Sequence, residues 1–201
     1  LSSEQLMWTI DDATATVRGG LGEVAAGARI AVVSGSGLGA LLGLGDEIGR
    51  IDYAAIPGVG AGTVSGHAGR WVTLRTTHGL VHCLAGRRHL YEGIEPAATA
   101  LLMRVAARLG VRTVILTNAA GGLVPRLVPG DLMRIDDHIN LMNRNPLIGP
   151  HDVRLGPRFP DMSEPYDRDL ACRLHAAAER LGIVLQQGVY IGLSGPTYET
   201  P

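Results

Sequence analysis

The sequence predicts an α/β protein built around a mixed β-sheet with helices on both sides. Short apolar runs that suit buried strands alternate with amphipathic segments that suit helices, an arrangement typical of α/β folds. Two strand candidates are separated only by a His-Gly dipeptide, which indicates a hairpin and therefore an antiparallel pair within the sheet. Polar, glycine-rich clusters follow several strand candidates, and open α/β sheets bind ligands at that place.

The first elements are a helix and a strand. Residues 4–20 predict a helix, because apolar side chains recur there at helical spacing. Residues 29–34 predict a strand covered on both faces, because the run is short, apolar and β-branched. This strand leads through a glycine-rich turn into the apolar residues 40–42, a strand–turn–helix pattern. Residues 46–51 are a weak candidate for a second strand.

The middle of the chain predicts the hairpin and a helix. Residues 71–77 and 80–85 suit the two hairpin strands. Residues 96–109 predict a helix, because proline stands near its start, apolar residues repeat every four positions, and Gly110 ends it.

The last third of the chain alternates strands with one helix. Residues 113–117, 131–135 and 188–193 suit strands, and residues 170–181 suit a helix closed by a glycine. Residues 140–164 are dense in Asn, Pro, Arg and Gly and predict a long loop. Loops of that length in compact domains are usually functional or disordered.

Composition restricts the class of protein. With 201 residues, 46% hydrophobic and 18% charged, the chain suits one globular domain over residues 1–201. A net charge of −1 predicts neither a nucleic-acid surface nor a basic membrane-binding face. Residues 1–18 lack the apolar stretch of a secretory signal, and no apolar run is long enough to span a bilayer. Cys83 and Cys172 sit in apolar contexts and are predicted to be reduced core residues, which favours a cytoplasmic protein.

The segment after the second hairpin strand suggests an anion site. If the backbone stays extended there, Arg87, His89 and Tyr91 project to one side. A guanidinium, an imidazole and a phenol between two glycines make a poor core and suit an anion, because arginine offers phosphate a planar fork of donors. The alternative is a strand end whose polar side chains meet solvent, and this segment by itself leaves both open.

Three more glycine-rich clusters follow strand candidates, at residues 35–39, 118–122 and 194–199. In the first, backbone N–H groups and the Ser36 hydroxyl suit an anion, although a plain tight turn is an alternative. The same turn fits the loose dinucleotide fingerprint, with Asp52 near the expected acidic position, so an NAD-binding Rossmann dehydrogenase is another alternative. One crevice beyond the carboxyl ends of the strands could collect all four clusters.

The remaining candidates also have structural interpretations. The cluster after the third buried strand permits either close approach of a ligand or close helix–sheet packing. His67 lies on a glycine-flanked loop, where histidine is more often a surface residue than a ligand. Tyr198 and Glu199 offer an aromatic face and a carboxylate to a heterocycle, unless Glu199 only begins the next helix. The seven histidines and two cysteines show no metal-ligand spacing, and no nucleophile elbow occurs.

Together these motifs resemble the trimeric purine nucleoside phosphorylase family. The matching segments cover nearly the whole chain in the family's order, and that order is more specific than any single motif. They are residues 35–39, 66–70, 86–93, 117–122, 137–140, 145–149, 158–163 and 195–201. Arg88 differs from the family pattern, which usually has an aromatic residue at this position. Because Arg88 should face away from the site, its replacement by alanine is expected to do little, whereas Arg87→Ala should sharply raise the phosphate requirement.

The resemblance implies a distorted mixed sheet and a homotrimer whose active sites lie near the subunit interfaces. It implies that inorganic phosphate is held by Ser36, His67, Arg87, His89 and the backbone of Ala119. It implies that the nucleoside is bound by Tyr91, Asn118, Phe159, Tyr198 and Glu199. In this arrangement a neighbouring subunit supplies Phe159, Tyr198 stacks on the purine and Glu199 bonds a ring N–H. His89 and Glu199 are the implied catalytic residues.

The implied activity is phosphorolysis of a purine (2'-deoxy)ribonucleoside to the free base and (2-deoxy)ribose 1-phosphate. Glu199 favours 6-oxopurines, so inosine and guanosine are the expected substrates. No cofactor and no metal are expected, because phosphate itself is the second substrate. Methylthioadenosine phosphorylase, a related enzyme, is the nearest alternative. The family's remaining base-binding and ribose-binding residues would lie beyond Pro201, where Thr200-Pro201 resembles the start of a further helix.

Overall fold

The computed structural model describes residues 2–60 and 69–198, and these residues fall into two units. The first unit comprises Leu1–Ala119 and Asn145–Pro150, and the second comprises Ala120–Arg144 and His151–Pro201. Most of the predicted site residues belong to the first unit. One domain spanning residues 1–201 stays a prediction.

Among the described residues of the first unit, five strands form a mixed sheet, which confirms the predicted fold class. The strands are β1 (Ile30–Ser34), β2 (Asp46–Asp52), β3 (Arg70–Thr76), β4 (Gly79–Ala85) and β5 (Thr113–Leu116). Their spatial order is β2-β3-β4-β1-β5. The hairpin is present, because β3 is antiparallel to β4 as well as to β2, and the weak strand candidate is the edge strand β2. The other strand pairs, β1 with β4 and β1 with β5, are parallel.

The helices of the first unit largely follow the sequence periodicity. They are α1 (Ser3–Leu21), α2 (Pro96–Thr99) and α3 (Leu101–Leu109). The helix predicted over residues 96–109 is divided into α2 and α3, and Thr99 Oγ1 donates to the Pro96 carbonyl at 2.7 Å beside the break. A side-chain bond of this kind competes with the helical hydrogen-bond ladder. Gly110 ends α3 in the left-handed conformation, as predicted.

The main core lies on one face of the sheet, under α1 and α3. The buried stripe of α1 consists of Met7, Ile10, Ala13, Val17 and Leu21. It belongs to the same buried cluster as Trp71 and Leu84 of the hairpin and Val105 of α3. Side chains one position along the hairpin point to the other face, because successive strand residues alternate. The periodic apolar residues therefore account for how the helices cover this face.

The opposite face of the sheet carries a smaller cluster around Val72 and Cys83, on which the 3₁₀ segment Gly39–Leu44 packs. The sequence pattern predicts an α-helix at this place, and the structure corrects it to a 3₁₀ segment. Three glycines stand within residues 39–45. Each costs a helix about 1 kcal/mol relative to alanine, which explains why no α-helix forms.

The second unit contains a parallel strand pair and one helix among its described residues. They are β6 (Leu132–Asn140), β7 (Leu185–Gly192) and α4 (Arg168–Arg180). Both strands are longer than predicted. The side chain of Asp167 caps α4 by accepting the Leu170 N–H at 2.8 Å. Residues 141–167 contain one short 3₁₀ turn, Val153–Leu155, which confirms the predicted long loop.

Both cysteines are free thiols. Cys83 is buried in the sheet, as predicted, whereas Cys172 is exposed on α4, so its prediction as a core residue was wrong. Over residues 2–60 and 69–198, no helix has the length and apolar character needed to cross a membrane.

Candidate active site

Three of the four glycine-rich clusters begin at the same edge of the sheet. Residues 35–39 and 86–93 follow β1 and β4, and the third cluster, predicted as residues 118–122, begins after β5 with Asn118 and Ala119, its part in the first unit. These three strands are adjacent and parallel. The register pairs Ser34 with Ala85, so the first two clusters begin at the same level. The predicted convergence is thus confirmed for these three clusters. The fourth cluster follows β7 in the second unit.

Thr117 joins the three clusters through hydrogen bonds. Its hydroxyl accepts the Gly35 N–H at 3.0 Å and donates to the Val33 carbonyl at 2.8 Å. Its carbonyl accepts a hydrogen bond from Arg87 NH1 at 2.9 Å. No local sequence pattern marks this threonine as a connector; the available signal was its position between the apolar run 113–116 and Asn118. The sequence predicts a buried strand there, and the structure corrects it, because β5 is an edge strand of the sheet and its residues are largely exposed.

Gly35 is required by the close approach of two backbones. A Cβ at this position would lie 2.6 Å from the Thr117 carbonyl oxygen and 2.7 Å from Asn118 Cα. Real Cβ atoms do not tolerate such distances, so any side chain here would displace the end of β5. The glycine therefore sets the spacing between the first and third clusters.

The turn after β1 is held by its own hydrogen bonds. The buried Ser34 hydroxyl donates to the Leu38 carbonyl at 3.0 Å, and the Leu38 N–H donates to the Gly35 carbonyl at 3.2 Å. Gly37 adopts a φ of 80°, which a residue with a side chain rarely adopts. Ser36 lies exposed in this turn, where the sequence analysis places an anion.

Arg87 lies half-buried just beyond the end of β4. Its bond to the Thr117 carbonyl holds one edge of the guanidinium against the end of β5. A guanidinium is planar and always charged, so this contact orients a permanent cation beside the other two clusters. An arrangement of this kind suits an oxyanion.

His89 and Tyr91 lie side by side, but not for the reason predicted. Their rings stack with centroids 4.8 Å apart and an interplanar angle of 14°. The extended alternation assumed in the sequence analysis does not persist, because Leu90–Glu92 forms a 3₁₀ turn. This turn, and not strand geometry, brings the imidazole and the phenol together.

Glu92 is a buried neighbour of His89 to which the sequence patterns assigned no role. Its side chain is 2% exposed and accepts the His89 N–H at 2.6 Å. Its other carboxylate oxygen accepts a bond from Arg88 Nε at 3.0 Å. The spacing of four residues between Arg88 and Glu92 was the signal that could have identified this pair.

Tyr53 forms hydrogen bonds to the backbone at the start of the second cluster, residues 86–93. Its hydroxyl donates to the buried Gly86 carbonyl at 2.9 Å, and its N–H donates to the Gly69 carbonyl at 2.7 Å. Burial, and to a smaller extent the nearby Cys83 thiol, raises the pKa of the Tyr53 phenol well above its usual range. The phenol therefore stays neutral and donating at physiological pH.

We expect Tyr53→Phe to lower the free energy of unfolding by about 1–2 kcal/mol at neutral pH, because the Gly86 carbonyl loses its donor. The folded-state pKa of Tyr53 is raised, so stability from its protonated form is complete below the unfolded-state pKa of about 10 and is lost above it. Urea unfolding near pH 8 and above pH 10 should show a smaller alkaline loss in Tyr53→Phe than in wild type. Equal alkaline losses in the two proteins would contradict this assignment.

The other predicted site residues are not all placed with these clusters. Asn118 is half-buried and donates to the carbonyl of its neighbour Ala119 at 3.1 Å. Phe159 and Tyr198 belong to the second unit, where the two residues are 88% and 95% exposed. His67 and Glu199 lie outside the described residues.

The dinucleotide alternative lacks its structural context. In a Rossmann unit, the acidic residue ends a parallel strand next to the first strand. Here β1 lies between β4 and β5, and Asp52 ends the antiparallel edge strand β2. The glycine turn also leads into a 3₁₀ segment instead of a helix. Within residues 2–60 and 69–198, no three His, Cys, Asp or Glu side chains are close enough together to hold a metal ion.

Comparison with protein families and curated proteins gives one consistent result. A family model described as the phosphorylase superfamily matches residues 29–201. Purine nucleoside phosphorylase 1 of Bacillus subtilis is 45% identical over 174 residues, covering 86% of this chain and 64% of the relative. Purine nucleoside phosphorylase of Mus musculus is 44% identical over 177 residues, covering 86% of this chain and 61% of the relative. The chain thus spans about three fifths of the length of these relatives.

Solved structures give the same result. Purine nucleoside phosphorylase of Schistosoma mansoni in complex with acetate matches with a TM-score of 0.87 at 36% identity, covering 96% of this chain and 72% of that chain. The structure of that enzyme in complex with inosine matches with a TM-score of 0.86 at 35% identity, covering 96% of this chain and 69% of that one.

Proposed function

This chain belongs to the phosphorylase superfamily, and we propose that its protein is a purine nucleoside phosphorylase that cleaves purine nucleosides with inorganic phosphate. The observation that carries the proposal is the convergence of residues 35–39, 86–93 and 118–119 around the oriented guanidinium of Arg87. The relatives that bear this name, at 44–45% identity, support it.

Inorganic phosphate binds at the carboxyl edge of the sheet in this proposal. Arg87 supplies the charged fork, Ser36 a hydroxyl, and the backbone N–H of Ala119 a further donor. His89 binds the same anion, and its imidazole is held between the Tyr91 ring and Glu92. His67 is assigned to the phosphate site by the family resemblance alone.

The chemistry follows from the bound anion. Cleavage of a glycosidic bond develops oxocarbenium-like charge on the sugar. A phosphate dianion held at van der Waals distance stabilises that cation and then attacks the anomeric carbon, which gives pentose 1-phosphate. The leaving purine gathers negative charge, and we assign its orientation to Glu199. Phosphate is the nucleophile, so the proposal requires neither a covalent enzyme intermediate nor a cofactor.

The nucleoside is bound by aromatic and polar side chains. Tyr91 contacts the ribose, Asn118 lies beside it, and Tyr198 stacks on the purine. Phe159 and Tyr198 are assigned to binding by the resemblance, and their exposure shows that neither ring is committed to the core of the second unit. In this proposal the protein is a homotrimer, as the resemblance implies, and Phe159 covers the sugar bound by a neighbouring subunit. We also propose that the protein is located in the cytoplasm.

Base preference separates the proposal from its nearest alternative. Methylthioadenosine phosphorylase would use the same phosphate site with a 6-amino purine and an apolar sulfur substituent. Glu199 favours 6-oxopurines, because its carboxylate accepts a bond from the protonated ring nitrogen that these bases carry. Inosine and guanosine are therefore the proposed substrates.

The test is a cleavage assay on the full-length protein with inosine, adenosine and methylthioadenosine, each with and without phosphate. We expect inosine to yield hypoxanthine and ribose 1-phosphate, and the reaction to require phosphate. Turnover of methylthioadenosine alone would favour the alternative phosphorylase. Absence of phosphate-dependent turnover with all three nucleosides would overturn the proposal.

A further inference from the structure

The side chain of Arg88 joins two segments of the first unit. Its Nε donates to Glu92 Oε2 at 3.0 Å, and its NH1 donates to the Val59 carbonyl at 2.7 Å. The side chain is 15% exposed. It therefore does not extend into solvent, as a polar residue at a strand end would.

Arg88 supplies a charged partner to the buried Glu92 carboxylate. At 2% exposure, an ionised carboxylate is costly unless it is paired and fully hydrogen-bonded. Its other oxygen accepts the His89 N–H at 2.6 Å and lies 3.5 Å from His89 Nδ1. The same carboxylate thus contacts Arg88 on one side and His89 on the other.

The second contact of Arg88 lies just before residues 61–68. Gly60 follows Val59 with a φ of 71°, and a Cβ at Gly60 would lie 3.1 Å from Arg88 NH1. The guanidinium is therefore packed against the backbone of residues 59–60. Arg88 connects this backbone to the 3₁₀ turn that carries Tyr91 and ends at Glu92.

We propose that Arg88 is a positioning residue, which orients His89 for phosphate through the buried Glu92 carboxylate. This inference rests on the proposed function. Removing the guanidinium takes away a charged partner that holds the buried carboxylate in place, so the carboxylate shifts and its bond to the His89 backbone N–H weakens. The same shift disturbs the contact of this carboxylate with His89 Nδ1 at 3.5 Å, which helps to orient the imidazole. This proposal contradicts the sequence-based expectation that Arg88→Ala does little, and the kinetics of Arg88 variants decide between the two.

The test compares Arg88→Met and Arg88→Lys with the matched control Arg50→Met. Arg50 also pairs with a nearby glutamate, Glu47, at 3.6 Å, but this pair is exposed on the edge strand. We expect Arg88→Met to raise the phosphate KM about tenfold with a smaller change in the inosine KM. Lysine keeps the charge but not the fork, so Arg88→Lys should raise the phosphate KM about threefold. Arg50→Met should leave both constants unchanged.

The phosphate KM distinguishes positioning from general stability, because a partly unfolded sample lowers the active fraction without changing this constant. A wild-type phosphate KM in Arg88→Met would overturn the inference, and Arg88→Lys decides in the same way if Arg88→Met does not fold. In the absence of substrate, hydrogen exchange at the His89 amide measures the bond from this N–H to the Glu92 carboxylate. We expect the exchange to be faster in both Arg88 variants than in wild type. If wild type lacks phosphorolysis, the proposed function fails, and unchanged exchange at His89 would separately overturn the positioning role.

Discussion

Replacing Arg87 by alanine is expected to raise the phosphate KM by about a hundredfold or more and to lower kcat. Charge-assisted hydrogen bonds contribute about 1.5–3 kcal/mol each, and the guanidinium fork can form two with one phosphate. The substitution also removes the bond to the Thr117 carbonyl, which holds the cluster after β4 against the end of β5. Steady-state inosine cleavage at varied phosphate measures the effect.

Two variants serve as controls for this experiment. Arg87→Lys keeps a cation without the planar fork and should recover part of the phosphate affinity. Arg112 is exposed just before β5, at the other end of that strand, so Arg112→Ala should leave phosphate affinity unchanged. An Arg87→Ala protein that binds phosphate like wild type would refute the site proposed at the carboxyl edge.

Replacing Gly35 by alanine is expected to lower the free energy of unfolding by about 2–3 kcal/mol, because overpacked buried positions cost about this much. The added methyl group would meet the Thr117 carbonyl and Asn118 Cα at 2.6 and 2.7 Å. The backbone at Gly35 or at Thr117 must then move, so Thr117 can no longer hydrogen-bond to both the Gly35 N–H and the Arg87 guanidinium. We expect loss of phosphate-dependent turnover beyond the loss of folded protein, measured by urea unfolding and by kinetics on the folded fraction.

Gly43→Ala is the matched control for that experiment. Gly43 lies in the following 3₁₀ segment with no heavy atom within 4 Å of an added Cβ, so its replacement should leave stability within about 0.5 kcal/mol. If Gly35→Ala is as stable and as active as Gly43→Ala, the contact between the first and third clusters does not determine the site.

Local patterns predicted most elements of the fold. The helix α1 and the strands β1, β3, β4 and β5 lie within a few residues of the predicted segments, because each has a clear apolar period and a turn signal at its end. The His-Gly dipeptide correctly indicated the hairpin. The helix predicted after Gly39 was wrong, because the pattern of apolar residues took no account of the conformational cost of three glycines.

The family was also evident in the sequence, and the comparisons confirm it. The order of short motifs along the chain carried that information, since no single motif distinguishes a phosphate site from a tight turn. The residue roles inherited from the resemblance stay predictions. Among them, Ser36, Arg87, His89 and Ala119 lie in the three clusters that the structure brings together.

By itself, the sequence determined the elements, the mixed sheet and the family, because these depend on local periodicity and on motif order. The tertiary structure alone decided how the clusters are held. Thr117 connects the clusters because strands 30–34 and 113–116 are adjacent in the sheet. Glu92 contacts His89 because the chain forms a 3₁₀ turn after residue 89. Hydrogen bonds between residues about 30 or 80 positions apart depend on strand register, and no local pattern records register. The contact of Arg88 with the Val59 carbonyl, on which its proposed positioning role partly rests, is likewise visible only in the tertiary structure.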